Sequence, residues 1–262
     1  MSKLLTGKSE SRRTPDKPGN GHPYSFRTLS DLQPGEHLCC IFRNPQEHRA
    51  VLTCFLRDGL ERRQKVIYVY DATPLETIRG YMRDAGMDSV SYESSRQLSL
   101  IPATNAYLRH KVFRPEEMLE FWMQELQRAQ KEGYAVLRVT GETTWADRGY
   151  PGTERFMEYE ARLNQVVPGS PFIVLCQYDL HRTSPKVLLD VLLTHPLTGL
   201  GTELYDNFYY IPPEKFLSSR AEAARLQLSL RELQTRKRLE RELQQASAQL
   251  QQAQVAEESE KS

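Results

Sequence analysis

Neither sign of charge dominates this chain: 35 Lys and Arg stand against 34 Asp and Glu, a formal net charge of +1. Binding nucleic acid or an anionic membrane through the overall field requires a basic excess, so neither partner is expected. Cysteine is scarce and unpatterned. Cys39, Cys40, Cys54 and Cys176 show no CxxC spacing and lie in apolar surroundings, which argues against a disulfide framework and suits reduced thiols in a cytoplasmic protein. Long apolar runs are missing as well. No stretch approaches the roughly 20 residues of a membrane span, and the N-terminal "MSKLLTGKSESRRTPDKPGNGHPYSF" has no apolar signal core. A soluble, cytoplasmic chain is expected.

Two catalytic signatures are absent too. A phosphate loop needs glycines for close backbone approach, a Lys for charge and a Ser or Thr for magnesium. The first strand-to-helix joint reads "FRNPQEH", with none of the three. ATP hydrolysis is therefore not expected. No G-x-S-x-G elbow occurs, and a cysteine nucleophile would need a histidine close in space, which sequence does not place.

What is present is a core-forming chain of 262 residues, 39% hydrophobic, long enough for one good-sized core. Residues 1–26 are polar and rich in Ser, Lys, Arg, Pro and Gly, the composition of a flexible arm. Over 27–213, short apolar runs ("HLCCIF", "KVIYVYD", "YAVLRVTGE", "PFIVLCQYD") alternate with helical patterns, which predicts a three-layer α/β fold with a mostly parallel sheet. Asn44-Pro45 with Glu47, Thr73-Pro74 with Glu76, and Ser184-Pro185 each place a capping residue before a proline at the first helical position. Met118, Trp122, Leu126 and Ala129 form one face of a helix that Gly133 should end. "LGTELYDNFYYIPP" reads as one further edge strand, carrying Phe208, Tyr209 and Tyr210 towards the C-terminal helix.

From 214 the composition shifts to Glu, Gln, Arg, Ala and Leu. Leu226, Leu230, Leu233, then Leu239, Leu243, Ala246, Leu250 and Ala253 follow spacings of four and three with one phase break. That pattern predicts a dimeric coiled coil over 214–255, with a disordered tail over 256–262. A single amphipathic helix lying back on the domain is the alternative. Arg236, Lys237, Arg238 and Arg241 alternate with Glu240 and Glu242, as on a solvated helix face.

A sheet of this type binds ligands beyond the carboxyl ends of its strands. Those ends offer Phe42, Arg43 and Asn44, then Tyr70 and Asp71, then Glu142 to Trp145, then Gln177, Tyr178 and Asp179. One reading has Phe42, Tyr70, Trp145 and Tyr178 lining an apolar pocket in which His37, Glu142 and Gln177 orient a polar group. The other has Glu142 capping a turn and Trp145 packing on the next helix. His37, Cys39 and Cys40, with Cys176 and His195, raise the possibility of zinc. Along a strand, however, His37 and Cys39 share a face while Cys40 points away, and the remaining candidates lack ligand spacing, so neither metal nor cofactor is expected.

Taken in order, "GEHLCCIF", "FLRDGLERRQKVIYVYD", "LRVTGETTWA", "MEYEARLN", "FIVLCQYD" and "LLTHP" with "LYDNFYYIPP" resemble the signature blocks of the MEDS domain family over 36–213. The resemblance implies a degenerate RecA/KaiC-like fold without a phosphate loop. It also implies a non-catalytic input module that senses a small hydrocarbon derivative and signals to a histidine kinase or transcription regulator. It implies further that His37, Cys39, Glu142, Trp145, Tyr159, Glu160, Cys176, Gln177, Tyr178 and His195 form or support the ligand pocket. DcmR-like members of the family carry a helix-turn-helix in front, for which the first 30 residues here are too short and too polar. An atypical nucleotide-binding enzyme and a coiled-coil scaffold are the competing classes.

Overall fold

The computed structural model of the protein describes residues 27–260, so the expected arm over 1–26 lies outside the described residues. The strands are β1 (His37–Phe42), β2 (Lys65–Tyr70), β3 (Leu98–Pro102), β4 (Leu137–Glu142), β5 (Phe172–Asp179), β6 (Leu197–Leu200) and β7 (Glu203–Asp206). They form one seven-stranded sheet in the order β3-β2-β4-β5-β1-β6-β7. Every pairing is parallel except the β6–β7 hairpin at the edge. Six helices alternate with these strands: α1 (Pro45–Glu61), α2 (Leu75–Asp84), α3 (Ser89–Ser94), α4 (Pro115–Lys131), α5 (Phe156–Val166) and α6 (Pro185–Thr194).

The sheet is sandwiched, and residue parity decides which layer each side chain meets. Leu38, Cys40, Val66, Tyr68, Ile173 and Leu175 face Val51, Leu52, Phe55 and Leu56 of α1, with Ile78 and Met82 of α2 beside them. The intervening residues Cys39, Ile67, Val69, Val139, Val174, Cys176 and Tyr178 face α4, α5 and α6 through Met118, Trp122, Leu126, Leu163 and Val191. The face predicted for α4 is buried as read, and Gly133 follows the helix at φ +89°.

Two of the three predicted caps form as read. Asn44 Oδ1 accepts the Glu47 N–H at 2.9 Å, and Ser184 Oγ accepts the Val187 N–H at 3.3 Å. Thr73 does not cap α2. Its N–H is drawn instead to the Glu142 carboxylate on β4 at 3.0 Å, Pro74 takes the cap position, and Glu76 pairs with Arg79 rather than closing a capping box.

The C-terminal part departs further from expectation. The segment read as an edge strand does supply one, β7, but β7 is preceded by a strand that was not expected, β6, which adds beside β1 and joins β7 through the turn Gly201-Thr202. β7 ends at Asp206, so Phe208, Tyr209 and Tyr210 lie beyond the strand, with Phe208 and Tyr209 exposed. Asn207 causes the exit. Its Nδ2 donates to the carbonyls of Leu192 and His195 at 2.6 and 2.7 Å, turning the chain back along α6. A one-turn helix, α7 (Pro213–Phe216), precedes α8 (Ala221–Glu260), so the long helix starts at Ala221 and not at 214. At the break Ser218 Oγ donates to the Lys215 carbonyl and accepts the Arg220 N–H, closing one helix and opening the next. The expected tail is helical up to Glu260, and its last two residues lie outside the described residues. Among the described residues no helix is long and apolar enough to cross a membrane.

Candidate functional site

Parity divides the predicted site residues between the two faces of the sheet. Glu142 and Gln177 are register partners on the α1 side, while Cys176 and Tyr178, on either side of Gln177, point to the α5 side with His37 and Cys39. The single pocket expected to hold His37, Glu142, Gln177 and Tyr178 together is therefore not formed. Two polar constellations replace it, one on each face.

The first lies at the carboxyl ends of the strands. A cleft of about 360 Å³ opens between the joints after β1, β2, β4 and β5, lined by Phe42, His48, Thr73, Tyr81, Glu142 and Gln177 among others. Glu142 is 3% exposed and fully engaged. Its Oε2 accepts the N–H groups of Asp71, Ala72 and Thr73 at 2.9, 2.6 and 3.0 Å, and its Oε1 accepts the Tyr68 hydroxyl at 2.5 Å. Burial, reinforced by the Glu142 charge, raises the Tyr68 pKa well above its ordinary value, so the phenol stays a donor. Glu142 is thus a clamp on the β2–α2 loop. It neither caps its own following turn nor stands free as a base.

Beside it runs a directed chain of hydrogen bonds. Thr140 Oγ1 donates to the Leu175 carbonyl at 2.9 Å and accepts from Gln177 Nε2 at 2.6 Å. That fixes the amide of Gln177, whose Oε1 meets His48 Nε2 at 2.7 Å. The His48 proton therefore sits on Nε2, and Nδ1 is the acceptor nitrogen. Burial lowers the pKa of His48 against the pull of Glu142 and Asp179, and its ring stacks on Phe42 with centroids 4.6 Å apart. At the N-terminus of α1 the position a phosphate would take is approached by the chain's own acid, Glu47, which accepts the Arg43 N–H at 2.8 Å.

Trp145 and Tyr70 are not walls of this cleft. Trp145 is fully buried on the other face, stacked on Tyr107 at 4.6 Å and packed against Phe113 and Phe156. Tyr107 reaches it because Gly141 has no side chain: a Cβ there would lie 2.6 Å from the Tyr107 hydroxyl. Tyr70 packs with the α2 and α3 cluster. Tyr159 belongs to the same aromatic core as Trp145, its hydroxyl accepting from Trp122 Nε1 at 2.7 Å.

The second constellation is closed to solvent. His37 of β1, Glu160 of α5, Cys176 of β5 and His195, which ends α6, bring one ligand-type atom each to within 4.8 Å of one another. Glu160 Oε2 stands 3.3 Å from His37 Nε2, 3.2 Å from His195 Nε2 and 3.4 Å from Cys176 Sγ, and Cys176 Sγ is 3.5 Å from His37 Nε2. Tyr178 donates its hydroxyl to Glu160 Oε1 at 2.9 Å. Burial, then the neighbouring His195, lowers the His37 pKa and favours its neutral imidazole. Burial raises the thiols, Cys39 to about 12 and Cys176 well above its ordinary value. Cys39 lies beside the group, near Thr198 at 3.6 Å, and Cys40 faces the opposite layer.

Spacing in the sequence did not bring these four together, because each comes from a different element. His48, Tyr68, Thr140 and Asn164 were not read as site residues at all. For His48 a signal existed: the Asn44-Pro45 joint sets the start of α1, which places His48 on its first turn above the strand ends.

Comparison with known proteins agrees with the resemblance carried by the motif blocks. The MEDS family, described as the methanogen/methylotroph DcmR sensory domain, matches residues 36–196. The transcriptional repressor DcmR of Methylorubrum extorquens is 28% identical over 167 residues, 63% of this chain and 60% of the relative, so the chain spans less than two thirds of that protein. Among solved structures, the KaiC-like protein PH0186 of Pyrococcus horikoshii OT3 aligns with a TM-score of 0.45 at 10% identity, covering 63% of this chain and 70% of that one. The flagellar accessory protein FlaH of Methanocaldococcus jannaschii aligns at 0.42 and 17%, covering 65% and 73%.

Proposed function

We propose, from the premise that this chain belongs to the MEDS family of sensory domains, that it is a non-catalytic input module for a small organic ligand held in the cleft at the strand ends. The observation that carries this reading is the fixed chain from Thr140 through Gln177 to His48, which presents one imidazole nitrogen, Nδ1, as an acceptor beside Phe42, Pro74 and Tyr81. A small molecule with a hydroxyl or carboxyl proton at one end and carbon or halogen at the other fits that combination. The carboxylates of Glu47 and Glu142, already bound to backbone N–H groups at the two helix entrances, disfavour a polyphosphate there.

Output passes through α8 in this proposal. Leu226, Leu230, Leu233, Leu239, Leu243 and Leu250 are all more than half exposed, and a second copy of the helix covers them as a coiled coil that speaks to a histidine kinase or transcription regulator. The domain boundaries proposed are 27–213 for the sensor and α8 for the coupling helix. Sensing requires that the ligand favour one helix arrangement over the other by about 1 kcal/mol or more.

The test is the melting temperature of the full chain against short alcohols, halocarbons, small carboxylates and ATP. A ligand at about a hundred times its Kd stabilises by roughly 2.7 kcal/mol. A shift with a small organic compound that His48→Ala abolishes supports the proposal. A shift with ATP alone overturns it in favour of a nucleotide-binding protein, and no shift with any compound overturns it in favour of a scaffold built on α8.

A further inference from the structure

The buried group on the opposite face has the makings of a site the sensor reading does not use. We propose that His37, Glu160, Cys176 and His195 bind one divalent transition-metal ion of the zinc type, holding β1, β5, α5 and the α6–β6 joint to a common centre.

The placement of protons decides which atoms are free to bind. Asn164 Nδ2 donates to the Thr194 carbonyl at 2.6 Å, so Asn164 Oδ1 is turned towards His37 Nδ1, 3.0 Å away, and accepts its proton. His195 Nδ1 lies 2.9 Å from the Val191 carbonyl, which can only accept. With Nδ1 as the donor of each ring, it is Nε2 that is turned inwards, that of His37 towards Glu160 and Cys176 and that of His195 towards Glu160. His195 Nε2 is buried with no hydrogen-bond partner, although Glu160 Oε2 stands 3.2 Å off. Two imidazole nitrogens and a carboxylate oxygen gathered around one point out of water, with only the Cys176 S–H to share among them, leave room for a cation to bind them together.

Distances and chemistry agree with that requirement. Bonds of about 2.1 Å to nitrogen or oxygen and about 2.3 Å to sulfur give a tetrahedron with edges of about 3.4 Å, or about 3.6 Å where sulfur is one corner. The four contacts among these atoms are 3.2, 3.3, 3.4 and 3.5 Å. The two remaining edges, from His195 Nε2 to His37 Nε2 and to Cys176 Sγ, are at most 4.8 Å, so each closes by little more than about an ångström at most on binding. Imidazole, thiolate and carboxylate together suit zinc better than calcium or magnesium, which prefer oxygen. The outer partners are also in place: Asn164 and the Val191 carbonyl hold the two imidazoles, and the Tyr178 hydroxyl holds the second oxygen of Glu160. On binding, Cys176 loses its proton to solvent and becomes the thiolate ligand.

The test uses the full chain purified from cells supplied with zinc or with cobalt. Expected are one ion per chain by elemental mass spectrometry and, in the cobalt form, a sulfur-to-metal charge-transfer band that Cys176→Ser removes. Asn164→Ala, which touches no ligand atom directly bound to the ion, should weaken retention against a chelator by about 10- to 100-fold. Loss of a ligand can unfold the chain, so X-ray absorption of the unaltered zinc protein supplies a second reading: a shell of nitrogen and oxygen with a single sulfur. Substoichiometric metal in both preparations, a shell without sulfur, or full loading unchanged in Cys176→Ser would overturn the assignment.

Discussion

Replacing Glu142 tests whether this acid is a clamp on the β2–α2 loop. In Glu142→Ala, three backbone N–H groups and the Tyr68 hydroxyl lose their common acceptor. A buried donor left unpaired costs about 1–3 kcal/mol. The loop borders the cleft, so water reaches some of the freed N–H groups, and the expected net loss is about 3–5 kcal/mol, near the upper end for a single substitution. Glu142→Gln keeps an acceptor at the Oε2 position and allows the Tyr68 hydroxyl to turn round, so only the charge assistance is lost, about 1–2 kcal/mol. For a domain of this size these correspond to drops in Tm of roughly 10 °C and roughly 4 °C. Urea unfolding followed by circular dichroism gives the free energies, and a thermal melt gives the second reading. If Glu142→Ala lies within about 0.5 kcal/mol of the unaltered protein, as a surface position would, the clamp is refuted and Glu142 belongs to the ligand instead.

His48 gives a pH dependence. Glu142 and Asp179 pull its pKa up, but burial prevails and holds it below the ordinary 6.5, so below that pH the unfolded chain takes up the proton first. Stability is then fully present above about pH 6.5 and declines as pH falls towards the lowered folded value. A urea series from pH 7 to pH 5 should show the decline, and His48→Gln should lessen it, the remainder coming from His37, which burial lowers in the same direction. Trp145→Ala should cost about 3–5 kcal/mol as a core truncation while leaving affinity for a ligand in the strand-end cleft unchanged by calorimetry; a lost affinity would return Trp145 to the pocket wall. Gly141→Ala sets a methyl against the Tyr107 hydroxyl, and about 1–3 kcal/mol of destabilisation is expected in the same assay. For the pairing proposed for α8, equilibrium sedimentation should give a dimer, and Leu230→Glu with Leu243→Glu should give a monomer without changing the melt of the α/β domain; a monomeric unaltered chain refutes the pairing.

The sheet and its helices were legible because their signals are local. A run such as "KVIYVYD", a cap such as Asn44-Pro45 and the one-sided face of α4 are each complete within a few residues. Pairwise geometry across the sheet was not. Glu142 and Trp145 are three residues apart and look like neighbours at one rim. In the structure the first points to the α1 layer, with its oxygens spent on a loop after β2, and the second is covered from the far side by Tyr107. The same limit made Thr73 look like a cap, although its N–H is held by Glu142 on another strand and Pro74 takes the cap position. His37, Cys176 and His195 were weighed together for zinc and set aside for want of ligand spacing, and Glu160 was implied by the family resemblance. Their meeting depends on strand order and on where α5 and α6 sit, which no spacing along the chain encodes. The strand before the edge was missed for a smaller reason: β6 is only four residues long, and its signal was the glycine of the two-residue turn, Gly201 at φ +61°.

The long final helix also changes the scale on which small motions register. At 1.5 Å per residue its 40 residues span about 60 Å. It is joined to α7 through the short break closed by Ser218, and near its start Arg225 pairs with Asp190 of α6. An axis of that length works as a lever: a tilt of about 5° at the break carries the far end about 5 Å, close to one helical pitch. A sub-ångström adjustment among α6, Asn207 and α7 is therefore delivered at the tip as a displacement comparable to a change of register against whatever the helix meets.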